Sequence, residues 1–138
     1  MKKMFFIALI AIISITLSFL IFSSNMDVLN QAFLSRFSIK TDLNAVSQEE
    51  FTIPYEFDEV FKNYNLIQLE AGFDLTDYRG EKAIRYTYKM LNFPKQEREN
   101  VYATVICVKN RQVGGDICCS DIDGFILPLN FLKTNSFD

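Results

Sequence analysis

Three cysteines, a few neighbouring acids and a pair of glycines are where this 138-residue chain could carry chemistry. Histidine is absent, which excludes Ser-His-Asp and Cys-His catalysis, zinc sites that use imidazole, and a histidine pH switch. The cysteines are Cys107, Cys118 and Cys119, and an odd number leaves one over in an oxidising compartment. Cys118 and Cys119 would point to opposite faces of a strand, and a disulfide between adjacent residues is strained. Without a CxxC pair or a histidine to activate a thiolate, free and mostly buried thiols that act as small apolar side chains are expected, with a disulfide as the alternative.

Asp121-Ile122-Asp123-Gly124 begins like a calcium loop, but Leu132 stands where an EF-hand places its bidentate glutamate, so a turn is expected. Gly114-Gly115-Asp116 lacks the GxxxxGK[ST] pattern of a phosphate loop and opens no helix. Glycines that let a helix approach a sheet are the simpler reading. Asp74 and Asp77 could lie close enough for general acid–base work, yet nothing in the sequence builds a pocket around them. No catalytic residue, metal or cofactor is expected.

The elements that must position these residues begin with Met4–Phe22, which carries no charge, Pro or Gly. Its nineteen residues, at about 1.5 Å each, make a helix of roughly 28 Å, close to a hydrocarbon core of about 30 Å. Its hydroxyls, at Ser14, Thr16 and Ser18, can bond back to carbonyls one turn earlier. Lys2 and Lys3 precede the run and set the amino terminus in the cytoplasm. A single-pass signal-anchor in the cell membrane is expected over residues 1–25, with an extracytoplasmic domain over 26–138. A cleaved signal peptide is the alternative; the length of the apolar run and the bulky residues before Ser23 and Ser24 oppose it.

Without Lys2 and Lys3, 12 of the 14 basic residues face 17 acidic ones, and no basic run exists. Nucleic-acid binding and an electrostatic hold on anionic lipid are not expected.

In the outer part, Asp27–Phe37 reads as a short helix with Asp27 as N-cap. Thr41–Glu50 reads as a polar loop, with room for a short strand at either side. The second helix is expected from a Thr52 or Ile53 cap with Pro54 near N1, along a stripe of Phe57, Val60, Phe61, Tyr64 and Ala71, to Gly72. Strands are expected at Glu81–Asn92 (Ile84, Tyr86, Tyr88 and Met90 on one face), Val101–Lys109 and Val113–Cys119, with a loop at Phe93–Asn100. The resulting fold is α+β: one or two helices on one face of a three- or four-stranded antiparallel sheet.

A two-residue turn at Asn110-Arg111 would set Val108 against Val113 and Val105 against Asp116. In that register Val101, Ala103, Val105 and Asp116, with Arg85 and Lys89, share the open face of the sheet. That face is either an ordinary solvated face or a candidate docking surface for an envelope protein partner; a one-residue slip would exchange the faces.

Ile53-Pro54, Asn63-Tyr64-Asn65, Gly72-Phe73-Asp74-Leu75, Tyr78-Arg79-Gly80, Arg85-Tyr86-Thr87-Tyr88, Gly114-Gly115-Asp116 and Asp123-Gly124-Phe125 occur in that order. Together they resemble a family of small membrane-anchored bacterial proteins, largely from Gram-positive Firmicutes, classed as a domain of unknown function. The likeness covers roughly 51–129. It implies the same topology and localisation, and brings no activity, cofactor or catalytic residue. By analogy with other small helix-on-sheet domains, the expected role is a non-enzymatic binding or accessory module of the envelope. The alternative is a small envelope enzyme that uses carboxylates or a thiol.

Overall fold

The computed structural model describes residues 1–94 and 99–135, and in the first helix every side chain except those of Lys2 and residues 19–24. That helix, α1 (Lys2–Ser35), is continuous. The expected break near Asp27 does not occur: Asp27 is buried inside the helix and caps nothing. Among the described residues no helix is long and apolar enough to cross a membrane. Of the expected span Met4–Phe22, the side chains of Phe19–Phe22 lie outside the described residues. The hydroxyls of Thr16 and Ser18 do bond back, to the carbonyls of Ile13 and Ser14 at 2.9 and 2.8 Å.

Among the described residues five antiparallel strands follow, in the spatial order β1 (Ser47–Thr52), β2 (Lys82–Lys89), β3 (Val101–Val108), β4 (Arg111–Cys119) and β5 (Ile126–Pro128). The three strands expected by position are β2, β3 and β4, and the edges β1 and β5 take the sheet beyond the expected three or four. β1 lies in and beyond the expected polar loop. It has no buried face and is held by the β2 ladder with cross-strand pairs, Glu49 to Arg85 and Glu50 to Lys82. β5 is short and ends at Pro128, as proline in a sheet requires. The expected loop Phe93–Asn100 lies outside the described residues at 95–98.

α2 (Glu59–Glu70) starts later than expected. Asp58 is its N-cap and accepts from the Phe61 N–H at 2.8 Å. The residue before a proline avoids the helical region, and Ile53 instead extends the β1–β2 pairing, donating to Glu81 and accepting from Gly80. The far end of α2 is as read. The Gly72 N–H bonds Leu69 O and the Phe73 N–H bonds Gln68 O, a Schellman cap with Gly72 at φ 87°. A 3-10 turn (Leu75–Tyr78) and a short helix, α3 (Phe131–Thr134), complete the elements among the described residues.

The helices cover both faces of the sheet, not one. On the first face Met26, Phe33 and Leu34 of α1 pack with Tyr86, Tyr88, Val101, Ala103, Val105 and Ile117. On the second, Phe57 and the partly buried Phe61 and Tyr64 pack with Leu75, Ala83, Ile106, Val108 and Val113.

The register explains the exchange. The turn is Lys109-Asn110, with both residues at positive φ (48° and 61°), one position earlier than expected. Val108 therefore faces Arg111, and Val113 is an extra residue bulged out between Gln112 and Gly114. Beyond the bulge Val105 faces Gly115 and Thr104 faces Asp116, one residue out of the expected pairing. Such a slip moves β4 side chains to the opposite face. Val101, Ala103 and Val105 lie buried under α1, while Asp116 lies under α2. The glycine that admits α2 is Gly114: a Cβ there would stand 2.6 Å from Gln68 Oε1.

Candidate functional site

The separation of Asp116 from Val105 removes the expected open face and creates a site where a helix had been expected to pack. Arg85 and Asp116 do share a side, as expected. With Thr87, Thr104 and Cys118 they form the sheet wall of a cleft of about 640 Å³. Phe61, Tyr64 and Ile67 of α2 form the other wall, with Val60 and Ile126 at the rim. Val60 is 77% exposed. Lys89 lies further along β2, its ammonium 5.0 Å from the Tyr102 ring centroid.

At the floor, Tyr64 Oη donates to Asp116 Oδ2 at 2.5 Å, and Thr104 Oγ1 donates to the same oxygen at 2.8 Å. The Asp116 N–H returns a bond to Thr104 Oγ1 at 3.1 Å. Asp116 is 4% exposed, so its carboxyl group depends on these donors in place of water. Arg85 reaches over from β2, 5.9 Å above the Tyr64 ring and 4.9 Å above the Phe51 ring, and pairs with Glu49 at 3.5 Å.

The protonation states follow from this packing. Burial, then the neighbouring Asp116 carboxylate, pushes the Tyr64 phenol far above its usual value, and Arg85 offsets this only in part. Burial, then Asp116, pushes the Cys118 thiol up to about 11. At neutral pH the cleft therefore holds a phenol that does not ionise and a thiol that is not a nucleophile.

The other candidates do not converge on the cleft. None of the three cysteines is in a disulfide; Cys107 and Cys119 are buried, Cys118 half-buried. Burial raises the Cys107 thiol to about 12. Asp74 caps the 3-10 turn, accepting from Thr76 N, Thr76 Oγ1 and Asn65 Nδ2. Asp121 accepts from Asn100 Nδ2 at 2.8 Å, in a turn. Among the described residues no group of three His, Cys, Asp or Glu is placed to hold a metal ion.

Tyr64 belongs to the stripe visible in the sequence, but its link to Asp116, 52 residues away, does not. Thr104 carried no signal, since a threonine in a central strand reads as an ordinary β-branched residue.

Fold and cleft define a small α+β module with a helix on each face of a five-stranded antiparallel sheet. The chain belongs to the family described as Domain of unknown function (DUF4830), which matches residues 33–117. The match begins inside α1 and ends in β4, so it starts earlier than the expected 51–129 and stops short of it. No curated protein and no solved structure matches the chain.

Proposed function

We propose that this is a single-pass membrane protein with its amino terminus in the cytoplasm. Its outer domain is a non-enzymatic binding module of the cell envelope that receives an apolar group of its partner in the α2–sheet cleft. The observation that carries the binding reading is the locked floor of the cleft. Tyr64, Thr104 and Asp116 satisfy one another beneath exposed apolar residues such as Val60 and Ile126. Clefts with apolar walls and a few fixed polar groups are the usual form of a binding site.

The membrane reading is supported by exposed apolar side chains along α1, among them Phe5, Ile10, Ile13 and Leu17, and by the apolar sequence that continues to Phe22. Lys2 and Lys3 at the amino end agree with a cytoplasmic start.

The test places a photo-crosslinking residue at Val60 of the full chain in native membranes, with Ile122, exposed in the β4–β5 turn, as control. The expected result is a discrete adduct at position 60, absent at 122 and lost when Ile126→Glu is added. Equal capture at both positions, or capture indifferent to Ile126→Glu, would overturn the cleft as the binding site.

A further inference from the structure

Four residues from separate parts of the chain lie at one end of the sheet. Tyr55 comes from the segment after β1, Lys82 from the start of β2, and Lys109 and Arg111 from the β3–β4 turn. Lys82 stands two residues from Ile84, which faces Cys107, so it is level with that turn. The Tyr55 ring lies over Gly80, just before β2, and the residue is 77% exposed.

The direction of α1 decides which way this end points. Asn30 Oδ1 accepts from Gln112 Nε2 at 3.0 Å and from Cys107 Sγ at 3.6 Å, both beside the β3–β4 turn. Eight to ten residues later the chain is at the opposite end of the strands. There Asn92 Nδ2 donates to Ser38 O, and the Leu91 N–H donates to Lys40 O. Traced backward from Asn30, α1 therefore leaves the domain past the turn. Seven residues of helix from Asn30 to Ser23 cover roughly 10 Å. From Cys107 the strand runs one residue further, to Val108, and the chain reverses at Lys109-Asn110, a reach of roughly 7 Å. The turn thus comes within a lysine or arginine side chain's length of the level where the apolar run Met4–Phe22 ends.

Given the membrane anchor proposed above, the geometry points to a second membrane contact. Tyr55, Lys82, Lys109 and Arg111 form a surface that rests on the phosphate layer of the outer leaflet. A tyrosine with lysine and arginine around it is the composition that favours the headgroup region. Glu81 lies 3.2 Å from Lys109, and Glu50 lies 3.5 Å from Lys82, so the surface keeps only a small net positive charge. The helix supplies the affinity, and the surface orients the domain. A linear reading excludes a basic patch because these cations are far apart in sequence and gather only when β2 pairs with β3 and β3 with β4.

The chain has no tryptophan, so single-tryptophan reporters are clean. Ile12→Trp, Tyr55→Trp and Ile122→Trp versions of the full chain go into vesicles of phosphatidylcholine with phosphatidylglycerol, brominated near the ends of the acyl chains to read position 12 and near their top to read positions 55 and 122. The expected result is strong quenching at 12, clear quenching at 55, and at least about twofold less at 122, on the far end of the sheet. Quenching at 12 with no excess at 55 over 122 would overturn the lipid-facing surface and leave the anchor standing. No quenching at 12 would overturn the anchor, and this surface with it. Adding Lys82→Gln, Lys109→Gln and Arg111→Gln to Tyr55→Trp should lower quenching at 55 in the anionic vesicles by about twofold and leave it unchanged in pure phosphatidylcholine. Quenching unaffected by those changes would remove the phosphate from the proposal.

Discussion

The Tyr88 hydroxyl donates to Asp27 Oδ1 at 2.8 Å, joining β2 to α1 across 61 residues of chain. Asn30 Nδ2 donates to the same hydroxyl at 2.9 Å, so one phenol ties two successive turns of the helix to the sheet. Asp27, Asn30 and Tyr88 are all buried. Apolar packing alone would let the helix slide or rotate over Val105 and Ala103. A buried polar cluster that is satisfied in one arrangement only does not.

Removing that hydroxyl should loosen the helix from the domain. Tyr88→Phe leaves the Asp27 carboxyl group and the Asn30 amide buried without their shared partner, at a cost of about 1–3 kcal/mol. Asp27→Ala and Tyr88→Phe together should cost less than the sum of the two alone, with a coupling of roughly 0.5–3 kcal/mol. Thermal unfolding of the full chain in detergent, run as a double-mutant cycle, measures it. Additive effects would contradict the latch.

The cleft floor should behave as a unit in the same way. Tyr64→Phe removes one of the two hydroxyl donors to Asp116 Oδ2 and should cost about 1–3 kcal/mol, while Val60→Ala at the exposed rim should change stability little. A Tyr64→Phe chain as stable as the parent would show that water reaches Asp116 and that the floor is not locked.

Stability should fall at both extremes of pH. Hydrogen bonds from Thr76, then from Asn65, hold Asp74 below its usual carboxylate value. A lowered value in the folded state stabilises fully at neutral pH. The benefit shrinks as pH drops below the ordinary aspartate value of about 4, and is gone below the lowered one. Burial raises Tyr64, Tyr86 and Tyr88 above the ordinary phenol value. Their contribution is present below about pH 10 and is lost as pH rises past it. Melting curves from about pH 3 to about pH 11 should therefore be dome-shaped. The deficit of Asp74→Ala relative to the parent should narrow on the acid side. A deficit independent of pH would contradict the assigned role of Asp74.

The thiols should be slow to react. With Cys107 raised to about 12 and Cys118 to about 11, a thiol reagent at neutral pH should modify neither appreciably in the folded chain. All three cysteines should titrate after denaturation without a reductant, since none is in a disulfide. Rapid native modification of Cys118 would overturn the description of the cleft as chemically quiet.

Much of the sheet was legible because its centre follows simple alternation. Ile84, Tyr86, Tyr88 and Met90 share a face as read, and Gly72 ends α2 as read. What escaped was set by distant partners. Asp27 has the composition of an N-cap, but its carboxyl group is taken by Tyr88. Ser47–Thr52 has no buried face, so no hydrophobic period marks it, and only its pairing with β2 makes it a strand. Arg85 and Asp116 were placed on one side correctly, while Val101, Ala103 and Val105 were not. The turn began one residue earlier than expected and Val113 bulged out, and neither departure is written in residue type, since Lys109 takes a positive φ as Asn110 does.

The helix-borne position of the domain is tested most directly by topology. Intact cells stripped of their wall are treated with an external protease, the membranes are washed with alkaline carbonate, and the surviving fragment is sequenced from its amino end. The expected result is a carbonate-resistant fragment that begins at Met1 or Lys2 and retains Met4–Phe22, with the outer domain digested. A chain that starts after Phe22, or one released by the wash, would contradict it.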